Sequence, residues 1–124
     1  SYFAELIDEW SPDNQANERL FRLGAGVADA LGRGGHVDAL ARYFESWLLR
    51  LEGVYPPIDE LGLSADARAF LDQARRRTPR QAAQSDPGRR VLREIEQVHQ
   101  RLIAMHLEKE LKSARVVREL RPES

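Results

Sequence analysis

The stretch VDALARYFESWLLRLEG, residues 37–53, decides how this 124-residue chain folds. Val37, Leu40, Ala41, Phe44, Trp47, Leu48 and Leu51 recur at intervals of three and four, which gathers them on one face of an α-helix. Gly53 and then Pro56-Pro57 end the pattern with residues that stop a helix. The stripe is the strongest in the chain and predicts the central core helix.

Similar punctuation divides the rest of the chain. Upstream, Asn17 is expected to cap a helix carrying Leu20, Leu23, Val27, Ala28 and Leu31, halted by Gly32-Arg33-Gly34-Gly35. Before it, Tyr2, Phe3, Leu6, Ile7 and Trp10 form another apolar stripe, ended by the turn residues Ser11-Pro12-Asp13-Asn14. Downstream, Ser64 predicts the cap of a helix reaching about Arg77, with Asp66 near its positive end and Phe70, Leu71 and Ala74 inward. A short helix around Pro79 to Ala83 follows. Asp86 before Pro87 reads as a cap and first residue of a long helix through Val91, Ile95, Val98, Leu102 and Met105 to Leu111. A fresh start capped by Ser113 is expected for Val116, Val117 and Leu120, ended by Pro122. No alternating strand pattern and no internal repeat is present. The expectation is an all-α bundle of five to six helices with no sheet, one domain over residues 1–124.

Hydrophobic residues make up 42% of the chain and charged residues 31%. That balance suits one small globular domain able to bury roughly two thirds of its unfolded surface without a staple. With no Cys there is no disulfide, thiol nucleophile or thiolate zinc site, and a cytoplasmic setting is expected. No apolar run approaches the roughly 18 residues of a membrane span, so no membrane association is expected. The stripe that begins at Tyr2 has no start signal ahead of it, which suggests a piece of a longer chain.

Net charge is −1, but its distribution is uneven. Residues 1–62 carry five basic and eleven acidic side chains, and residues 63–124 carry fourteen and nine. All basic residues except Lys109 and Lys112 are arginine, which suits bidentate contact with phosphate or carboxylate.

Catalytic patterns are missing. Gly24 and Gly26 follow no strand, and Gly32, Gly34 and Gly35 lack the Lys-Ser/Thr pair of a phosphate loop. No serine sits in a nucleophile elbow. His99 and His106 share a helical face with Glu110, but two turns separate the histidines by roughly 10 Å, too far for one ion. His99 is expected half-buried or at the surface, His36 solvated, and no metal or other cofactor is expected. The basic stretch Arg75, Arg76, Arg77, Arg80, Arg89, Arg90 and Arg93 reads either as a phosphate-binding surface or as solvated helix ends. Aromatic residues, concentrated in the first half, read mostly as core. Arg42, beside Tyr43 and one turn from Ser46 and Trp47, is either an exposed arginine on an ordinary helix or the anchor of a groove for a carboxylate-ended peptide.

Several motifs in order resemble a known family. Tyr2-Phe3-Ala4-Glu5-Leu6, Asn17-Glu18-Arg19-Leu20-Phe21, Tyr43-Phe44-Glu45, Leu48-Leu49-Arg50-Leu51-Glu52-Gly53 with Pro57, and Leu111-Lys112-Ser113 are similar to the C-terminal region of the bacterial RecO DNA repair proteins. The resemblance implies a non-catalytic recombination mediator. Such a protein binds the acidic C-terminal tail of single-stranded DNA-binding protein, joins RecR, anneals single strands and assists loading of RecA. Tail contact would fall to Arg42, with Tyr43 and Trp47. Lys112, with Lys109 and Arg115 near it, and the arginines above would touch single-stranded DNA weakly. Many relatives carry a four-cysteine zinc module after the Pro, but Leu61 stands where its first cysteine would be, so no zinc module is expected, and whatever orientation that module gives must come from direct packing of Leu61 and Leu63 or is absent. The other reading is a purely structural bundle that scaffolds a neighbouring domain. A hydrolase or metalloenzyme would need a pocket holding His99 and a convergent carboxylate.

Overall fold

The computed structural model describes residues 14–120, which form five α-helices, one 3-10 turn and no strand. In chain order these are α1 (Asn14–Gly32), α2 (Val37–Leu51), the 3-10 turn (Ile58–Glu60), α3 (Ala65–Ala74), α4 (Pro79–Ala83) and α5 (Arg89–Leu120). The all-α bundle expected from the sequence is what is observed. The expected helix through Tyr2 to Trp10, and Pro122, lie outside the described residues.

Helix α2 is central because it packs against all four of the others. Its residues 39–46 are buried without interruption, all round the helix rather than along one stripe. One side joins Leu40, Phe44 and Leu48 to Leu20 and Val27 of α1 and Ile103 of α5. A second cluster lies between α3 and α5, where Leu63, Ala67, Phe70 and Leu71 meet Val91, Leu92 and Ile95, with Ala39 of α2 at its edge. Leu63 is buried and Leu61 packs at the margin of that cluster. Burying each large side chain contributes about 1.5–3 kcal/mol.

The caps explain most boundaries. Ser64 accepts from the Ala67 amide, and Thr78 and Gln81 form a reciprocal capping box that starts α4 at Pro79. Gly53, at φ +69°, turns the chain out of α2.

Elsewhere the structure corrects the reading. Helix α1 is already helical at Asn14, the first described residue, so Asn17 lies inside it. Helix α3 stops at Ala74, three residues before Arg77. Asp86 does not cap α5; its carboxylate accepts from the Gly88 amide at 3.2 Å, and Gly88, at φ +98°, turns the chain so that the helix starts at Arg89. Ser113 starts nothing, because α5 runs unbroken for 32 residues. Val37, Ala28 and the aromatic Phe21 face solvent, Phe21 at 70% exposure. His36 is half-buried, and its Nδ1 accepts from the Ala39 amide to cap α2.

Gly35 marks the tightest approach. A Cβ there would lie 2.6 Å from Ala83 Cβ and 2.8 Å from the Ala30 carbonyl oxygen, while at Gly32 it would meet nothing within 4 Å. Gly35→Ala is therefore expected to destabilise by about 1–3 kcal/mol. Gly32→Ala should be neutral or stabilising by up to about 1 kcal/mol. Urea unfolding of the two variants beside wild type checks the contrast.

Candidate partner-binding site

Three of the expected site residues lie on α2, and their side chains face different surroundings. Arg42 is 6% exposed. Its Nε and Nη2 donate to the two oxygens of Glu45 at 2.7 and 3.0 Å, and its Nη1 donates to Glu96 of α5. Burial lowers the guanidinium pKa, but Glu45 and then Glu96 more than offset this, leaving it above its usual value. Arg42 is thus neither an exposed arginine nor a free cation: its charge is committed inside the fold.

Glu45 carries the arrangement further. It is fully buried, and Oε1 lies 3.0 Å from Nδ1 of the equally buried His99. On the other side of that imidazole, Nε2 lies 2.6 Å from the Tyr55 hydroxyl. A carboxylate holding Arg42 can only accept, so Nδ1–H donates to Glu45, and in the neutral imidazole this leaves Nε2 to accept from the Tyr55 hydroxyl. Burial pushes the Tyr55 phenol well above its ordinary value; nearby Arg50 pulls it down and Glu45 pushes it up. The order Glu45–His99–Tyr55 imitates a catalytic triad. Its central members are sealed in the core, however, and a phenol held protonated is a poor nucleophile.

Sequence reasoning missed this network. A signal existed, since Arg42 and Glu45 sit three apart inside the most apolar helix of the chain, spacing that brings them together on one face. His99, expected half-buried or exposed, is the third member, and it does not converge with His106 and Glu110: no metal-binding group of three is present among the described residues.

Tyr43 and Trp47 bind α2 to the end of α3. The Tyr43 hydroxyl donates to the Arg77 carbonyl at 2.7 Å, and the half-buried Trp47 Nε1–H donates to the Ala74 carbonyl at 3.0 Å. Ala74 is the last residue of α3, where carbonyls lack helical partners, and Arg77 lies in the link from α3 to α4. Directly after this junction come Arg75, Arg76 and Arg77, then Arg80; all are exposed except Arg77, which is half-buried. An open cavity of about 540 Å³ is lined by Arg76, Arg77, Gln81 and Gln84. On the other side of Arg75, a cavity of about 430 Å³ opens between it, Arg50 and Tyr55.

The remaining basic residues are dispersed. Arg89, Arg90 and Arg93 are exposed on the first turns of α5, and Lys109, Lys112 and Arg115 on its far half, where Lys112 pairs with Glu108 at 3.2 Å. At 1.5 Å per residue the 16 positions from Arg93 to Lys109 separate the two groups by about 24 Å along the helix, so they do not form one patch. Arg75 directly follows Ala74, whose carbonyl Trp47 holds.

Two outcomes follow from the buried network. Arg42→Ala leaves Glu45 without its charge partner and is expected to cost about 3–5 kcal/mol, measured as a lowered urea midpoint. Since the folded Tyr55 pKa is raised, the phenol favours folding fully at neutral pH, and this contribution fades as pH climbs above about 10. Tyr55→Phe should lower stability at pH 7 by about 1–3 kcal/mol, because His99 Nε2 loses its donor, and should flatten the alkaline fall in stability.

With this geometry in place, comparison with known proteins is informative. Residues 1–115 match the family model described as Recombination protein O C terminal. A DNA repair protein RecO from Koribacter versatilis (strain Ellin345) is 36% identical over 73 residues, covering 56% of this chain and 30% of that relative. The matched part is thus under a third of the relative's length. No solved structure matches. The family match spans nearly all of the sequence, central helix and charged network included: the chain belongs to the RecO family, in the part that the family knows as its C-terminal region.

Proposed function

We propose that this chain is a non-catalytic binding module of recombinational DNA repair. It docks the acidic, apolar C-terminal tail of single-stranded DNA-binding protein, joins RecR, and touches single-stranded DNA weakly through its arginines. In that way it assists annealing and the loading of RecA. One observation carries the reading: a half-buried tryptophan whose Nε1–H holds the last carbonyl of α3, immediately before the exposed Arg75 and Arg76 in the chain. An indole edge next to guanidinium groups suits a ligand that is both apolar and anionic.

Arg42 supports this function from within. Held by Glu45 and Glu96, it fixes the rotation of α2 that presents Tyr43, Trp47 and Arg50 to the α3 junction. The tail's charge then falls to the exposed arginines. Single-stranded DNA would meet Arg76 and Arg77, whose cavity is otherwise lined by Gln81 and Gln84, with Arg80 exposed on the following helix.

A second reading has its own observation. Met105, Leu111 and Val116 are more than half exposed on the far half of α5, a face suited to scaffolding a neighbouring domain.

Titration of a fluorescent acidic tail peptide at two salt concentrations separates the readings. The mediator predicts saturable micromolar binding that weakens with salt. A folded domain that binds neither peptide nor DNA at low salt would leave the scaffold. For DNA, Arg76→Glu with Arg77→Glu should weaken oligonucleotide binding and reduce the slope of log affinity against log salt by about 1 for each phosphate that is no longer neutralised.

A further inference from the structure

Helices α2 and α5 run side by side in the same direction, because Arg42 meets Glu96 and Glu45 meets His99 at the same offset of 54 residues. By that offset Leu51, the last residue of α2, is level with Met105. Residues 106–120 of α5 therefore run on past α2 as an arm of about 22 Å. The stripe of α5 that faces the core continues onto this arm at helical spacing, through His99, Ile103, Leu107, Leu111 and Ala114. Its burial fades along the way: His99 is fully buried and Ile103 8% exposed, Leu107 is half-buried, Leu111 is 67% exposed and Ala114 is exposed. A stripe built for packing thus outruns the helix it packs on.

The start of α1 lies at the same end of the bundle. Residues 33–36 join α1 to α2, so the two run antiparallel and the first turn of α1 stands beside the arm. Leu20 shares a core cluster with Leu102, Ile103 and Leu107, and Asn14 is about 9 Å further along α1 toward the arm. The sequence upstream of Asn14 has matching chemistry. Tyr2, Phe3, Leu6, Ile7 and Trp10 recur at intervals that make one apolar face. Residues 1–13 carry four acidic side chains and no basic one, whereas residues 108–118 carry four basic and two acidic. Area favours this segment over a second molecule. Leu107, Leu111 and Ala114 offer far less than the roughly 800 Å² per partner that separate molecules need for a stable complex. A segment joined to α1 through residues 11–13 gives up no translational freedom when it docks.

We propose that residues 2–10 of this chain dock on the α5 arm, their apolar stripe covering Leu107, Leu111 and Ala114 and their carboxylates beside Arg115 and Arg118. Lys109 and Lys112 lie round the helix from this stripe and stay in water. The docked segment extends the core of the bundle along α5 beyond the end of α2.

The chain contains no cysteine, so introduced pairs report the contact. Leu6→Cys is combined in turn with Leu107→Cys, Leu111→Cys, Ala114→Cys and, on another side of the helix, Met105→Cys; each variant is confirmed folded by circular dichroism and oxidised mildly. A disulfide closes only when the Cα atoms come within about 7 Å. The docked segment predicts that at least one of the three stripe pairs closes within a single chain in most molecules, while the Met105 pair stays reduced. It also predicts that Leu111→Gln lowers the urea midpoint and Met105→Gln leaves it in place. Closure of none of the stripe pairs would overturn the proposal, as would equal closure of the Met105 pair. Covalent dimers in place of closed monomers would give the stripe to a second copy and overturn it. An unmoved midpoint in Leu111→Gln would leave the stripe without a cover from this chain and overturn it as well.

Discussion

The burial of Glu45 governs much of this fold. A carboxylate fully removed from water is costly unless every acceptor site finds a donor. Here Arg42 meets it with two N–H groups and His99 with a third. These donors come from α2 and α5, and Glu96 of α5 returns the contact to Arg42. Apolar packing between the two helices would tolerate a small rotation of either. A charge network with directional bonds does not, so it sets the register in which α2 faces the rest of the bundle.

That register connects packing to binding. Tyr43 and Trp47 reach the carbonyls at the end of α3 because α2 is rotated to bury Arg42 and Glu45 toward α5. Arg50, two turns beyond Arg42, then emerges beside the proline turn, where Tyr55 supports it. A single helix therefore carries both a buried cation bonded to two carboxylates and a partly exposed one stacked on Tyr55. The two arginines are eight residues apart and chemically alike; burial and available carboxylates give them different work.

The fold was largely legible because its signals are local. The apolar spacing of residues 37–51, Ser64 and Thr78-Pro79 specify helices through neighbours close in sequence, and the structure has those helices with α2, α3 and α4 beginning where expected. Signals with competing local meanings were misread. Asp86-Pro87 has the chemistry of a helix start, but Gly88 at positive φ makes it a turn. Ser113 can cap or simply lie on a helix, and only the uninterrupted hydrogen bonding of α5 decides it. The site was less legible because its chemistry joins residues 54 positions apart, as in Arg42 with Glu96 and Glu45 with His99. Family resemblance singled out Arg42 and its neighbourhood, and the structure shows what resemblance could not: which arginines already have carboxylate partners.

The central claim is that Arg42 is structural, its charge held inside the fold by Glu45 and Glu96. Arginine side-chain Nε–Hε resonances of the 15N-labelled protein, followed by NMR while an acidic carboxylate-ended peptide is added, read this directly. The account predicts a slowly exchanging Arg42 signal that stays in place while signals of exposed arginines move. An Arg42 signal that shifts with peptide, beside stationary exposed arginines, would contradict it.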